Sequence, residues 1–232
     1  MLPFTSEQFR SVFVDYNSSI WPTQIAAYLL GGIAVALLFR KAQEGDRIIA
    51  GILALMWVWT GIFYHGLWFS SINKAAWIFA VLFIVQGCYL FYAGTFRRQI
   101  RFGLRPGLPA VIGGGFVAYA AIIYPLIGAA IGHGWPEMPM FGVTPCPVTI
   151  FTFGLFLLTV RPVPRWLFVI PVVWSLIGGS AAMLLQVPQD WLLLASGAIT
   201  VALTVFRDRQ TIEDVPAAKL ELKPYAAPKP SG

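Results

Sequence analysis

Charge is what this chain has least of. Asp, Glu, Lys and Arg make up 11% of its 232 residues, against about a quarter in soluble domains. With 58% of its residues hydrophobic, it reads as an all-α integral membrane protein. The net charge of +6 therefore points to loop placement rather than to a nucleic-acid partner, because Lys and Arg gather on the cytoplasmic side of membrane spans. Cysteine is scarce as well. Cys88 and Cys146 are the 2 present; they cannot build a disulfide framework, and neither sits in a paired CxxC motif of zinc or thioredoxin type. The opening MLPFTSEQFRSVFVDYN lacks a basic segment, an apolar stretch and a small-residue cleavage site in sequence, so no cleaved signal peptide is expected. The middles of the long apolar runs contain no Asp, Glu, Lys or Arg. That absence removes the intramembrane carboxylate of a proton-coupled carrier and the Schiff-base lysine of a retinal protein.

What is present is a series of apolar runs long enough to cross about 30 Å of hydrocarbon as helices. They fall near 20–39, 48–69, 75–96, 109–131, 148–160, 166–185 and 191–206. Seven spans are expected, or six if the short fifth run is re-entrant. With the N-terminus outside, all 16 Lys and Arg residues except Arg10 and Lys74 fall in inner segments. This is the distribution of an N-out, C-in protein. Residues 1–19 form an amphipathic lead-in, with Phe9, Val12, Phe13 and Tyr16 at helical spacing. It is read either as a short helix on the outer interface or as an ordinary approach to the first span. Residues 207–232 mix charge with Ala and Pro and are expected to form a flexible cytoplasmic tail.

Two sets of three spans share features. WPTQI (21–25) pairs with CPVTI (146–150), and RIIAGILALMWVWTG (47–61) with RWLFVIPVVWSLIGG (165–179). SINKAAW and VPQDW then open the third and seventh spans, which leave at TFRR and VFRDR. This three-plus-one-plus-three pattern resembles the SWEET and PQ-loop proteins, a likeness that implies a parallel repeat. The chain also resembles an uncharacterised bacterial family of multipass membrane proteins, through YNSSIWPTQ (16–24), TGIFYHGLWFSSINKAAW (60–77), GHGWPEMPMFGVTPCPVTIFTFG (132–154) and WSLIGGS (174–180). That likeness implies a bacterial inner-membrane location and supplies no catalytic or ligand residue.

Candidate chemistry gathers on the outer side. HGWPEMPMFGVTPCP (133–147) brings His133, Glu137, Met138, Met140 and Cys146 together in sequence. Asp190 is placed in the next outer loop, and His65 near the outer end of its span. His65, His133, Glu137, Cys146 and Asp190 thus form a candidate outer-face site. Its soft donors, Met138, Met140, His133 and Cys146, suit copper or a similar ion. The alternative is structural: His65 bonded to a backbone carbonyl, the methionines as apolar anchors and Cys146 as a small helix-start residue. Gln24, Trp57, Thr60, Tyr64, Thr149, Thr152 and Trp174 could instead line a neutral aromatic pocket. No catalytic constellation is evident, so no enzyme is expected. The expected function is binding or transport of a small neutral solute or soft metal. The competing expectation is a structural or accessory subunit packed against another membrane complex; partners are the bilayer, such a complex or further copies of the chain. A membrane-impermeant thiol reagent applied to intact cells should label Cys146 and spare Cys88; labelling from the cytoplasmic side alone would reverse the orientation.

Overall fold

Thr5 and Gln8 cap each other. The Gln8 N–H donates to the Thr5 hydroxyl at 3.1 Å, and the Thr5 N–H donates to Gln8 Oε1 at 2.9 Å. This reciprocal cap opens helix α1 (Ser6–Leu38), 33 residues long and so about 50 Å. The lead-in and the first span are therefore one helix. Pro22, read from the sequence as the start of a span, lies inside it, because the helix has already been nucleated at Thr5. The computed structural model describes residues 3–40 and 42–213.

The chain continues through α2 (Gln43–Ser71), α3 (Ala76–Phe96), α4 (Leu108–Ala130), α5 (Pro145–Leu157), α6 (Arg165–Leu184) and α7 (Pro188–Phe206). The last of these runs on as helix to Glu213, past the point where the tail was expected to begin. The rest of that tail, with Lys41, lies outside the described residues. Six of the helices are long and apolar enough to cross a membrane, and α5 is a shorter apolar helix. A single antiparallel bridge, Phe102 to Thr159, is the extended pairing among the described residues.

The shortness of α5 is matched by its burial. All 13 of its residues are buried, and at 1.5 Å per residue it is only about 20 Å long. A helix that is apolar all round belongs inside a bundle, and α2, α4, α6 and α7 pack around this one. Pro145 and Pro147 are tolerated because they occupy its first turn, where backbone N–H groups have no helical partner. Glycine sets the closest approach. A Cβ on Gly154 would lie 2.8 Å from the Gly113 carbonyl oxygen, and one on Gly113 would lie 2.8 Å from that of Gly154. The backbones of α4 and α5 thus touch where neither carries a side chain. On the opposite flank the Trp57 indole of α2 donates to the Thr152 hydroxyl at 2.9 Å.

The two ends of the bundle are built differently. At the arginine-rich end, Asp46 pairs with Arg101 at 2.8 Å and accepts from the Phe102 N–H at 2.9 Å. Arg47 donates to the Thr95 carbonyl at 3.1 Å, and the Val160 N–H donates to the Arg101 carbonyl at 2.8 Å. The other end is closed by the connection between α4 and α5. Asn17 of α1 donates to the carbonyls of Pro136 and Met138 at 2.7 and 2.8 Å, while Gln24 donates to Asn17 Oδ1 at 2.9 Å. Tyr16 donates to the Val143 carbonyl at 2.6 Å. Phe141 then inserts beside Gly31, where a Cβ would lie 2.5 Å from the ring.

Gly154→Val should lower the thermal midpoint in detergent sharply, by the equivalent of about 1–3 kcal/mol or more, because backbone atoms cannot yield to a side chain. Gly114→Ala, where nothing lies within 4 Å of the added carbon, should leave it unchanged or slightly raised. Equal midpoints for the two variants would refute the close α4–α5 contact.

Candidate functional site

Tyr119 and Tyr124 are five residues apart, about 140° around an ordinary α-helix. Between them α4 widens into a π-helical turn, Tyr119–Ile123, which draws the two side chains towards one face. Both reach the start of α7. The Tyr119 hydroxyl donates to the Gln189 carbonyl at 2.8 Å, and the Tyr124 hydroxyl donates to Asp190 Oδ1. Asp190 is 2% exposed. Cys146, in the first turn of α5, sets its thiol against the same carboxyl group. Among the described residues Asp190 enters no ion pair; the acidic partners in salt bridges are Glu44, Asp46 and Glu137. A buried carboxylate without a cation is costly, and an O–H and an S–H donor offset only part of that cost.

Asp190 borders a cavity of about 360 Å³, within the range of small-molecule sites. Every helix except α4 contributes to its walls. Phe9 and Phe13 come from α1, Tyr64 and Phe69 from α2, Phe79 from α3, Trp174 and Ala181 from α6. The rings hold one another in place: Phe13 stacks on Tyr64 at 5.3 Å, and Phe79 meets Trp174 edge-on at 5.3 Å. The Trp174 indole N–H is buried and has no well-formed hydrogen bond, although the Cys146 sulfur lies close to it.

His65 sits behind this wall. Its ring is fully buried, with Phe83 at 4.7 Å, Trp174 at 5.0 Å and Phe79 at 5.7 Å, and neither ring nitrogen has a hydrogen-bond partner. The backbone carbonyl suggested for it from the sequence is therefore not its partner. A second π-helical turn, Thr60–Trp68, carries both Tyr64 and His65. Such turns recur at functional sites.

The structure brings together Tyr64, Cys146, Trp174 and Asp190 from the sequence candidates. Asp190, expected in an open loop, is instead buried at the start of α7, because two tyrosines of α4 pin the turn that carries it. The others are elsewhere. His133 and Glu137 form an exposed pair at 3.4 Å on a rim cleft of about 30 Å³ that also holds Arg10 and Gln189. Met138 is buried, its sulfur filling the notch at Gly128, while Met140 lies with Gln24 in a separate shallow groove. Thr60 and Thr149 donate to their own helix carbonyls at Met56 and Pro145, both at 2.8 Å. Thr152 likewise donates to Val148 at 2.8 Å and accepts from Trp57. No group of three or more His, Cys, Asp or Glu side chains among the described residues is arranged to hold a metal ion. Tyr119 and Tyr124 were missed because α-helical spacing sets them on different faces. Their hydroxyls in an otherwise apolar run were the available signal.

The pattern that defines a family of unknown function, DUF6064, matches residues 6–214. The chain belongs to this family. The match takes in all seven helices of the DUF6064 chain and every cavity residue but Phe4. No curated protein and no solved structure matches the chain. Two of the stretches that carried the family resemblance meet in space: Tyr16, Asn17 and Gln24 hold the connection containing Trp135, Pro136, Met138 and Val143.

Cys146 is only 8% exposed and borders the cavity, so labelling it requires entry. In purified protein a compact methanethiosulfonate should modify Cys146, whereas a bulky maleimide conjugate should react with Cys88 alone. Equal modification of Cys146 by both reagents would show that it is not enclosed.

Proposed function

We propose that the protein spans a bacterial inner membrane seven times, N-terminus outside, and binds or takes up a small solute through the cavity. The orientation rests on the arginines gathered at one end of the bundle, where Lys and Arg favour the cytoplasm. The cavity then opens on the outer half. α5 supports a seventh crossing, because it begins beside Asp190 and ends near the Phe102–Thr159 bridge at the arginine-rich end. Its short length is tolerable because it meets protein rather than lipid on all sides.

The observation that carries the functional reading is an apolar cavity of about 360 Å³ with a carboxyl group buried in its wall. A structural subunit gains nothing from such a space, since unfilled volume costs stability. A solute site requires one. The dispersal of His133, Met138, Met140 and Cys146 over four separate places favours a solute over a soft metal ion. The walls of the cavity are mainly apolar and aromatic, the make-up of a small-molecule binding site, so binding or transport fits it better than catalysis.

Purified in mild detergent, the protein should carry a small molecule that denaturation releases for mass spectrometry. Ala181→Phe, which fills the cavity, should lose it without losing the folded state. A wild-type sample free of small molecules, containing a stoichiometric protein partner instead, would favour the accessory-subunit role.

A further inference from the structure

The cavity combines two features that a neutral apolar ligand does not need. The first is Asp190, a buried carboxyl group that borders the space and has no cation among the described residues. Tyr124 and Cys146 supply one donor each, whereas an ionised carboxylate offers about four lone-pair sites. Accepting capacity therefore remains. The second feature is the density of rings around the same space, including Phe13, Tyr64, Phe79 and Trp174. Aromatic faces attract cations, most strongly in sites shielded from water. Apolar walls alone would be made as well by Leu and Ile.

We infer that the cavity takes an amphiphilic organic ammonium ion, whose N–H donates to Asp190 and whose apolar body lies among Phe13, Phe79 and Trp174. The inference rests on the solute reading above and names its substrate class. The ion supplies the positive charge that the bundle withholds from Asp190, and the rings surround the part of the ligand nearest the charge. The rim is mixed in sign, with Glu137 and His133 facing Arg10 across the small cleft. Selectivity therefore falls to the interior, where a charge-assisted hydrogen bond is strongest.

The test uses the full chain carrying Cys88→Ala, in nanodiscs of zwitterionic phosphatidylcholine at pH 7. The readout is the rate at which Cys146 reacts with a small uncharged methanethiosulfonate. Phenethylammonium is compared with 2-phenylethanol, which has nearly the same shape and no charge. The ammonium ion should protect Cys146 at concentrations at least tenfold lower than the alcohol, and Asp190→Asn should abolish that difference. If Cys146 proves unreactive, or Asp190→Asn fails to fold, calorimetric titration of the wild-type protein with the same two compounds gives the ratio directly. Equal affinity for both would overturn the ammonium inference and leave the solute reading standing. Binding of neither would overturn both.

Discussion

Complete burial of α5 governs the placement of the helices around it. A helix of 13 residues with no exposed face has to be wrapped, and the wrapping dictates where its neighbours stand. α4 approaches through paired glycines, α2 through the Trp57–Thr152 hydrogen bond, and α7 crosses α6 where Gly197 lies against Ser175. Each of these contacts is available because the residue at the crossing is either very small or has its polar atom matched. Between apolar helices in a lipid environment there is little hydrophobic force to exploit, so close packing and hydrogen bonds carry association.

The same constraint leaves room for the cavity. α5 is too short to fill the bundle from end to end, and its first residues, Pro145 and Cys146, stop at the cavity wall. Beyond them the space is covered by the 131–144 connection and by the first turns of α1. These turns bring Phe9 and Phe13 against Tyr64 and Phe69. A thirteen-residue helix therefore both closes the core and sets the floor of the site.

Polar groups are matched at some levels of the bundle and left unmatched at others. At the arginine-rich end Asp46, Arg101 and Thr95 are bonded to side chains and backbone from neighbouring segments. Near the cavity the accounting is incomplete: both nitrogens of His65, the Trp174 N–H and the Gln189 side-chain oxygen are buried without partners. Thr200, Thr204 and one atom of Gln86 share that condition elsewhere. Buried polar groups are ordinarily paired. Two of the exceptions, His65 and Trp174, stand together beside a cavity whose wall also holds a carboxyl group with no cation among the described residues.

An all-helical chain with apolar segments long enough to cross a membrane, the approximate limits of those segments and the separation of basic residues from the HGWPEMPMFGVTPCP connection could be read from the residues alone. These follow from hydropathy and charge, which add residue by residue along the chain. Tyr64, Cys146, Trp174 and Asp190 were legible as candidates because polar or soft groups stand out against an apolar background. Helix packing decided that these four meet, that His133 stays on the rim, and that Trp57 and Thr152 bond to each other instead of lining a pocket. The folded chain also shows that α1 begins at Thr5 and that π-helical turns redirect Tyr64, His65 and Tyr119. Local spacing assumes a regular 3.6-residue period, while packing can widen a turn and rotate every side chain beyond it. Which groups face one another is a property of seven helices at once, and no segment of the chain contains it.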